Sequence, residues 1–148
     1  MIEHFKQGGC EFLSNFQRVD IIFEGNKYHS VENAYQAAKT NAIEWRTFCI
    51  TCESPGKVKA AAKEIQIRSD WNEVRVAIMR NLLEQKFEQE PYRTRLLNTG
   101  TQYIQEGNYW GDTFWGVDMT KSPPTGKNIL GQMLMDIRDR LLLDGDLF

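Results

Sequence analysis

The sequence predicts an α+β fold, a predominantly helical single domain over residues 1–148 with a small antiparallel sheet or hairpins. Apolar residues recur at helical spacing along much of the chain, most regularly in 71–89 and after residue 128. Short β-branched and aromatic runs next to glycine–asparagine pairs predict hairpins. A length of 148 residues also fits one compact domain with its own core.

A hairpin and a capped helix are predicted first along the chain. Residues 19–23 have the composition of a strand, and Gly25-Asn26 can supply the positive φ angles of a tight turn before the second strand. Ser30 is a good N-cap for a helix that reaches residue 40 or 41. A second helix is predicted over about 42–51.

Two further helices have clear start signals. Ser54-Pro55 places a capping residue before a proline at the first helical position, where the missing amide hydrogen costs nothing. Asp70 or Ser69 caps a longer helix from Trp71 to about Gln89, and Pro91 ends it.

Two cations lie inside the apolar arc of the 71–89 helix. Arg75 falls between Trp71 and Met79 on a helical wheel, and Lys86 falls between Leu82 and Met79. For a single such residue we favour snorkelling, in which the stem packs and the charge reaches water. Because an unpaired buried cation is costly, two on one helix also indicate a partly buried anion site.

The last third of the chain is predicted as a short helix over 91–98, two short strands around Gly107-Asn108, a polar loop and a final helix that Asn128 caps. Gly126 and Lys127 precede the first amides of this helix, an arrangement that favours an anion. The segment is not a Walker A loop, because Lys121 and Asn128 stand where that motif needs glycine and Ser or Thr.

Composition excludes several classes of protein. Eighteen basic and 20 acidic side chains give a net charge of −2, which provides no general attraction to nucleic acid or anionic membranes. No apolar run approaches the roughly 20 residues of a membrane span, so we expect a cytoplasmic protein without a membrane partner. Cys49 and Cys52 have the spacing of half a zinc site but no matching second pair, so buried reduced thiols are the better interpretation.

A polar stripe runs beside the core face of the helix that begins after Ser30. Glu32, Gln36 and Lys39 follow one another along about two turns. A solvated surface with weak pairing is one interpretation. The other is a ligand site, since a flat heterocycle between aromatic rings, with a carboxylate and an amine at its sugar, uses these residue types.

Weak motifs occur in a fixed order along the chain: Phe12-Leu-Ser-Asn-Phe16, Tyr28, Ser30-x-Glu32, Gln36, Lys39, Ser54-Pro55, Trp71, Arg75, Met79, Lys86-Phe87, Leu96-x-x-Thr99, Trp110-Gly111 and Gly126-Lys-Asn128-x-Leu-Gly131. By their order and spacing, from about Phe12 to Arg138, the chain resembles the YbiA-like family, also called NADAR. Ala62-Lys63 departs from the usual glycine and basic residue. The 113–125 loop also diverges, which bears on substrate identity.

The resemblance implies an N-glycosidase that needs no cofactor and no metal. Family members hydrolyse a phosphoribosylamino-pyrimidine intermediate of riboflavin synthesis or remove ADP-ribose from modified guanine, and both reactions break a C1′–N bond. Glu32 is the first candidate for stabilising the oxocarbenium-like transition state or activating water. Lys39 is an alternative Schiff-base nucleophile, which a tight pair with Glu32 would oppose. Asp112 would orient ribose hydroxyls or transfer a proton.

The same resemblance suggests the residues that bind substrate: Ser14, Asn15, Phe16, Gln36, Trp71, Arg75, Lys86, Trp110 and Asn128. The expected partner is a small-molecule ribotide or an ADP-ribosylated base, including one in a modified nucleic acid. The sequence gives no oligomeric state. A non-catalytic module that binds nucleotide or ADP-ribose is the main alternative, and a protein-interaction module is a weaker one.

Overall fold

The computed structural model describes residues 1–146, and the chain folds as two compact units. The central unit is Asn15–Gln89, and the terminal unit combines Met1–Ser14 with the chain from Glu90 onward. The predominantly helical α+β class with small sheets is confirmed. The assignment of all 148 residues to a single domain stays a prediction.

The central unit begins with an antiparallel hairpin of β1 (Ile21–Phe23) and β2 (Asn26–Tyr28). Positive φ angles occur at Glu24 (46°) and Gly25 (82°), and Phe23 pairs with Asn26. The turn is therefore centred one residue earlier than the predicted Gly25-Asn26, because Asn26 already belongs to the second strand.

Four helices complete the central unit: α1 (Val31–Ala37), α2 (Ile43–Thr51), α3 (Pro55–Ala61) and α4 (Trp71–Phe87), with a 3₁₀ turn at Ala62–Glu64. The caps of α1 and α3 are confirmed, since Ser30 Oγ accepts a hydrogen bond from the Asn33 amide and Ser54 Oγ accepts one from the Lys57 amide. Asp70 precedes α4, but its carboxylate binds the Arg68 guanidinium instead of capping the helix.

Helix α1 lies at the centre of this unit, in contact with α2, α3 and α4. All seven of its residues are buried, which explains why the polar stripe of the sequence is not a solvated surface. The apolar core around it consists mainly of Val31, Ala34, Tyr35, Trp45, Val58, Trp71, Met79, Leu82, Leu83 and Phe87.

The terminal unit contains a 3₁₀ turn (Glu11–Leu13), α5 (Tyr92–Leu97), β3 (Gly107–Asn108), β4 (Val117–Asp118) and α6 (Ile129–Asp146). Gly107-Asn108 forms a strand that pairs in parallel with β4, so the predicted turn between two strands is wrong here. A Cβ added at Gly107 would lie 2.3 Å from the Glu3 carbonyl oxygen. This close approach, rather than a turn, explains the glycine.

The core face predicted for the final helix is largely confirmed: Leu130, Met133, Leu134, Ile137 and Leu141 are buried, while Ile129 is half-buried. Asn128 does not cap the helix with its side chain. Its φ angle is 53°. Its side-chain Oδ1 accepts a hydrogen bond from the Glu106 backbone N–H, and its Nδ2 donates one to the Ile104 carbonyl. No helix within residues 1–146 is both long and apolar enough to cross a membrane.

Candidate functional site

The candidate site is built on α1, which turns a carboxylate into the interior of the central unit. Glu32 is only 7% exposed, and its backbone amide donates to the Asn15 carbonyl at 3.1 Å. Its Oε1 accepts a hydrogen bond of 2.8 Å from Nε2 of Gln36, one turn along the helix. The i,i+4 spacing seen in the sequence therefore produces a buried carboxylate–amide pair.

Burial controls the protonation of Glu32. Loss of solvent raises the pKa of this carboxyl above its ordinary value, and this effect outweighs the Gln36 hydrogen bond and the charges of Lys59 and Lys39, which lower it. Glu32 thus holds a proton more readily than an exposed glutamate does. A raised pKa makes the carboxylate a stronger base, which suits it to proton transfer.

Gln36 is fixed on both sides. Its backbone carbonyl accepts a 2.8 Å hydrogen bond from Nε1 of Trp45, and its side-chain Nε2 is held by Glu32. Gln36 is 4% exposed, yet its Oε1 receives no hydrogen bond from residues 1–146. A buried acceptor without a donor is uncommon in native proteins, and it often marks a site of function.

Lys39 follows the C-terminal end of α1 and is half-buried against two aromatic rings. Its Nζ lies 5.6 Å from the Tyr35 ring centroid and 5.9 Å from that of Trp71. The two rings are themselves 5.0 Å apart at an angle of 56°. The Lys39 backbone carbonyl accepts from the Arg68 amide at 2.8 Å, which fixes where its side chain starts.

The pKa of Lys39 is lowered, mainly by burial and also by the charges of Lys59 and Arg75, while Glu32 opposes this shift. Within the described chain, Glu32 and Lys39 form no direct salt bridge. A close pair with Glu32 would hold Lys39 in its charged form. Without such a pair, Glu32 does not hold Lys39 in its charged form, so a carboxylate and a neutral amine are compatible within one site.

Residues at the start of the central unit flank this group. Asn15 donates from Nδ2 to the Met79 sulfur at 3.7 Å, and its buried Oδ1 has no donor among residues 1–146. The Phe16 ring is 43% exposed, and Lys59 Nζ lies 5.9 Å from its centroid. Five of the predicted substrate-binding residues thus lie near Glu32 or Lys39, or contact a residue that acts on one of them: Asn15, Phe16, Gln36, Trp71 and Arg75.

Lys59 is a member of this group that sequence reasoning missed. It lies on α3, is exposed, and acts electrostatically on both Glu32 and Lys39. Its position depends on the packing of α3 against α1, which is a tertiary contact. The only local sequence signal was Ser54-Pro55, which marks where helix α3 begins but not how the helix is oriented in the fold.

The two cations of α4 have different environments. Arg75 is half-buried and contributes to the field at Lys39. Lys86 is 0% exposed, its Nζ lies 5.0 Å from the Phe87 ring centroid, and burial lowers its pKa to about 7. Snorkelling is therefore wrong for Lys86. The role of Lys86 in substrate binding stays a prediction.

The other predicted site residues belong to the terminal unit. Trp110 is 58% exposed. Asp112 uses Oδ1 to accept from the Phe114 and Trp115 amides, both at 3.0 Å, so it also shapes its loop. The roles of Ser14, Trp110 and Asp112 in substrate binding or catalysis stay predictions.

Asn128 and the start of α6 do not form the predicted anion site. The backbone amides of residues 127–130 donate to carbonyls of residues 113–116, at 2.8–3.2 Å. Both amide hydrogens of the Asn128 side chain are also used, by the Ile104 carbonyl and the Tyr103 hydroxyl. The 113–116 segment folds back over the helix start, and this contact has no local sequence signal.

The three cysteines are free thiols. Cys49 is buried, as predicted, and burial raises its pKa to about 12, whereas Cys10 and Cys52 are half-buried. Among residues 1–146, no cluster of three or more His, Cys, Asp and Glu side chains is placed to hold a metal ion.

The chain is similar to known proteins in sequence. The NADAR domain model matches residues 4–142. The chain is 32% identical over 133 residues to riboflavin biosynthesis protein VVA0006 of Vibrio vulnificus, a match that covers 88% of this chain and 35% of that protein. It is 30% identical over 139 residues to N-glycosidase YbiA of Shigella flexneri, covering 89% of this chain and 82% of that protein.

The fold is also similar to a solved structure. The NMR structure of the Escherichia coli protein YbiA superposes with a TM-score of 0.79 at 26% sequence identity, covering 98% of this chain and 89% of the other. The chain thus spans most of the YbiA proteins but about a third of the Vibrio protein.

Proposed function

This chain belongs to the NADAR family, and we propose that it is an N-glycosidase that hydrolyses the C1′–N bond of a phosphorylated ribosyl substrate. The substrate is a phosphoribosylamino-pyrimidine or an ADP-ribosylated guanine. One observation carries the proposal: a buried Glu32 carboxyl, hydrogen-bonded to Gln36, interacts electrostatically with a Lys39 amine that lies against two aromatic rings. The names of the YbiA relatives support the reaction class.

In the first route, Glu32 acts directly at the reacting carbon. The C1′–N bond breaks, positive charge develops on the ribose, and the carboxylate stabilises that charge while accepting a proton from the attacking water. The departing base nitrogen takes up a proton from solvent, and Glu32 afterwards releases to solvent the proton that it accepted from water. The raised pKa of Glu32 makes the carboxylate a stronger base for accepting that proton than an exposed glutamate.

In the second route, Lys39 is the nucleophile. Opening of the ribose ring gives an imine at C1′, the neutral amine of Lys39 adds to it, and the base amine leaves with a proton from the lysine. Water then hydrolyses the lysine imine, which restores the amine and releases the sugar aldehyde. The lowered pKa of Lys39 supports this route because it increases the neutral fraction of the amine.

Other groups of the central unit bind the rest of the substrate. The Trp71 and Phe16 rings offer flat apolar surfaces for the base or sugar, and Asn15 can hydrogen-bond to it. Arg75 is the cation that we assign to phosphate, since it shares the electrostatic environment of Lys39. The proposal requires no metal and no cofactor.

The test is product analysis by mass spectrometry after incubation, in EDTA, with ADP-ribosylated guanine oligonucleotide and separately with the aminopyrimidine ribotide. Glu32→Gln and Lys39→Ala are each expected to lower kcat/KM by about 100-fold or more. Glu44→Gln and Lys63→Ala change exposed residues of the same unit and are the matched controls. Full activity in both site variants would remove the assignment of the site.

Borohydride separates the two routes. Reduction during turnover traps a sugar adduct on Lys39 if the Schiff base forms, and the absence of an adduct supports the Glu32 route. Binding of ADP-ribose by calorimetry without any turnover would instead indicate the non-catalytic module, and a protein that binds neither would indicate an interaction module.

A further inference from the structure

Gln36 presents a hydrogen-bond acceptor that no group within residues 1–146 uses. The residue is 4% exposed, and its Oε1 atom is buried without a donor from those residues. Burial of such an oxygen is unfavourable unless a donor is supplied. A substrate hydroxyl or amine can supply one.

The orientation of the Gln36 amide is determined by its neighbour. Nε2 donates to Glu32 Oε1 at 2.8 Å. The ionised carboxylate that the Glu32 route requires can only accept, so exchanging the nitrogen and oxygen of the amide would place two acceptors against each other. The free atom is therefore the carbonyl oxygen. It requires a donor, which excludes a phosphate oxygen or an unprotonated ring nitrogen as its ligand.

The position next to Glu32 indicates which sugar group can be the donor. In the proposed function Glu32 acts at C1′, and the 2′-hydroxyl is the sugar hydroxyl on the adjacent carbon, within reach of an acceptor that is hydrogen-bonded to the same carboxylate. Hydrogen bonds to the 2-hydroxyl strengthen in the transition state of glycoside hydrolysis, so an acceptor here assists catalysis as well as binding.

We propose that Gln36 Oε1 accepts a hydrogen bond from the 2′-hydroxyl of the ribosyl group and that Gln36 makes this enzyme selective for ribosyl over 2′-deoxyribosyl substrates. The inference rests on the proposed N-glycosidase function and adds to it the part of the sugar that is recognised. Selection by a buried polar group is strong because a deoxy substrate leaves that group without a partner.

The experiment compares a ribosyl substrate with its 2′-deoxy counterpart for the wild type, Gln36→Met and the exposed control Gln66→Met. Each kcat/KM is divided by the uncatalysed rate, because deoxyribosyl bonds are intrinsically more labile. Wild type and Gln66→Met should prefer the ribosyl substrate by about 10- to 100-fold. Gln36→Met should lose most of that preference, mainly through a lower kcat on the ribosyl substrate.

A structural role alone would lower the activity of Gln36→Met equally on both sugars, and an unchanged preference would overturn the proposal. If Gln36→Met does not fold, calorimetry on the wild type decides: ribose 5-phosphate must bind about 10-fold or more tightly than 2-deoxyribose 5-phosphate. Equal affinities overturn the inference. Turnover of both sugars without selectivity refutes only the role of Gln36, whereas no base release from any ribosyl substrate refutes the proposed function itself.

Discussion

Replacement of Lys86 by methionine should remove a pH-dependent cost to the stability of the protein. Lys86 is 0% exposed, and burial lowers its pKa from the ordinary 10.5 to about 7. The native state therefore binds fewer protons than the unfolded state between these two pH values, and this difference destabilises the wild type below pH 10.5. Methionine has a similar length and carries no charge, so it removes the titration while filling much of the same space.

The size of the effect follows from the difference between the two pKa values. It corresponds to on the order of 4 kcal/mol near pH 7 and to about 2 kcal/mol near pH 9. The packing change in Lys86→Met does not depend on pH. The stability gap between the variant and the wild type should therefore shrink by about 2 kcal/mol over this range.

Urea unfolding at several pH values between about 7 and 9 measures this gap. Other titrating groups, including Lys39 and Cys49, are present in both proteins and cancel in the difference. Lys57→Met, a change at an exposed lysine, should show no such trend. Parallel stability curves for the wild type and Lys86→Met would refute the reasoning, whatever their separation.

Three further predictions concern the site and its support. In the Glu32 route the acidic limb of the pH–rate profile should lie above the ordinary pKa of glutamate, 4.5, because burial raises the pKa of Glu32. In the Lys39 route activity should rise as the amine loses its proton, at a pH below 10.5 because burial lowers the pKa of Lys39; an acidic limb at or below 4.5 would contradict both routes. Asn33→Leu should destabilise by about 2–4 kcal/mol in urea unfolding, since both amide hydrogens bond to carbonyls at the end of α2; a loss under about 0.5 kcal/mol would count against that role. Cys49 should react with iodoacetamide near pH 8 at least about 100-fold more slowly in the folded protein than in urea, as measured by peptide mass spectrometry, because it is buried with a pKa of about 12, and equal rates would show that it is accessible.

Features that depend on neighbouring residues were predictable from the sequence. The Ser30 and Ser54 caps follow from short-range hydrogen bonding, and the core face of α6 follows from helical periodicity. The pairing of Glu32 with Gln36 also follows from their spacing on one helix. These features need no knowledge of the distant chain.

Features that depend on distant segments were not predictable. The parallel partner of Gly107-Asn108 lies about ten residues further on, and the amides at the start of α6 are occupied by carbonyls of the 113–116 segment. The complete burial of Lys86 needed the contacts of α4, because on a helical wheel a buried and a snorkelling lysine occupy the same position. Lys59 likewise enters the site through the packing of α3.

Hydrogen bonds fix helix α1 at both ends. The Asn15 carbonyl accepts from the Glu32 amide in its first turn, while Trp45 and Arg68 donate to the carbonyls of Gln36 and, just beyond the helix, Lys39. All residues of α1 are also buried. A substitution within it therefore disturbs folding and chemistry together. Divergence toward new substrates is consequently expected at the surrounding residues, such as Phe16 and Lys59, which are accessible and can change one at a time. Engineering of altered selectivity should begin at those positions.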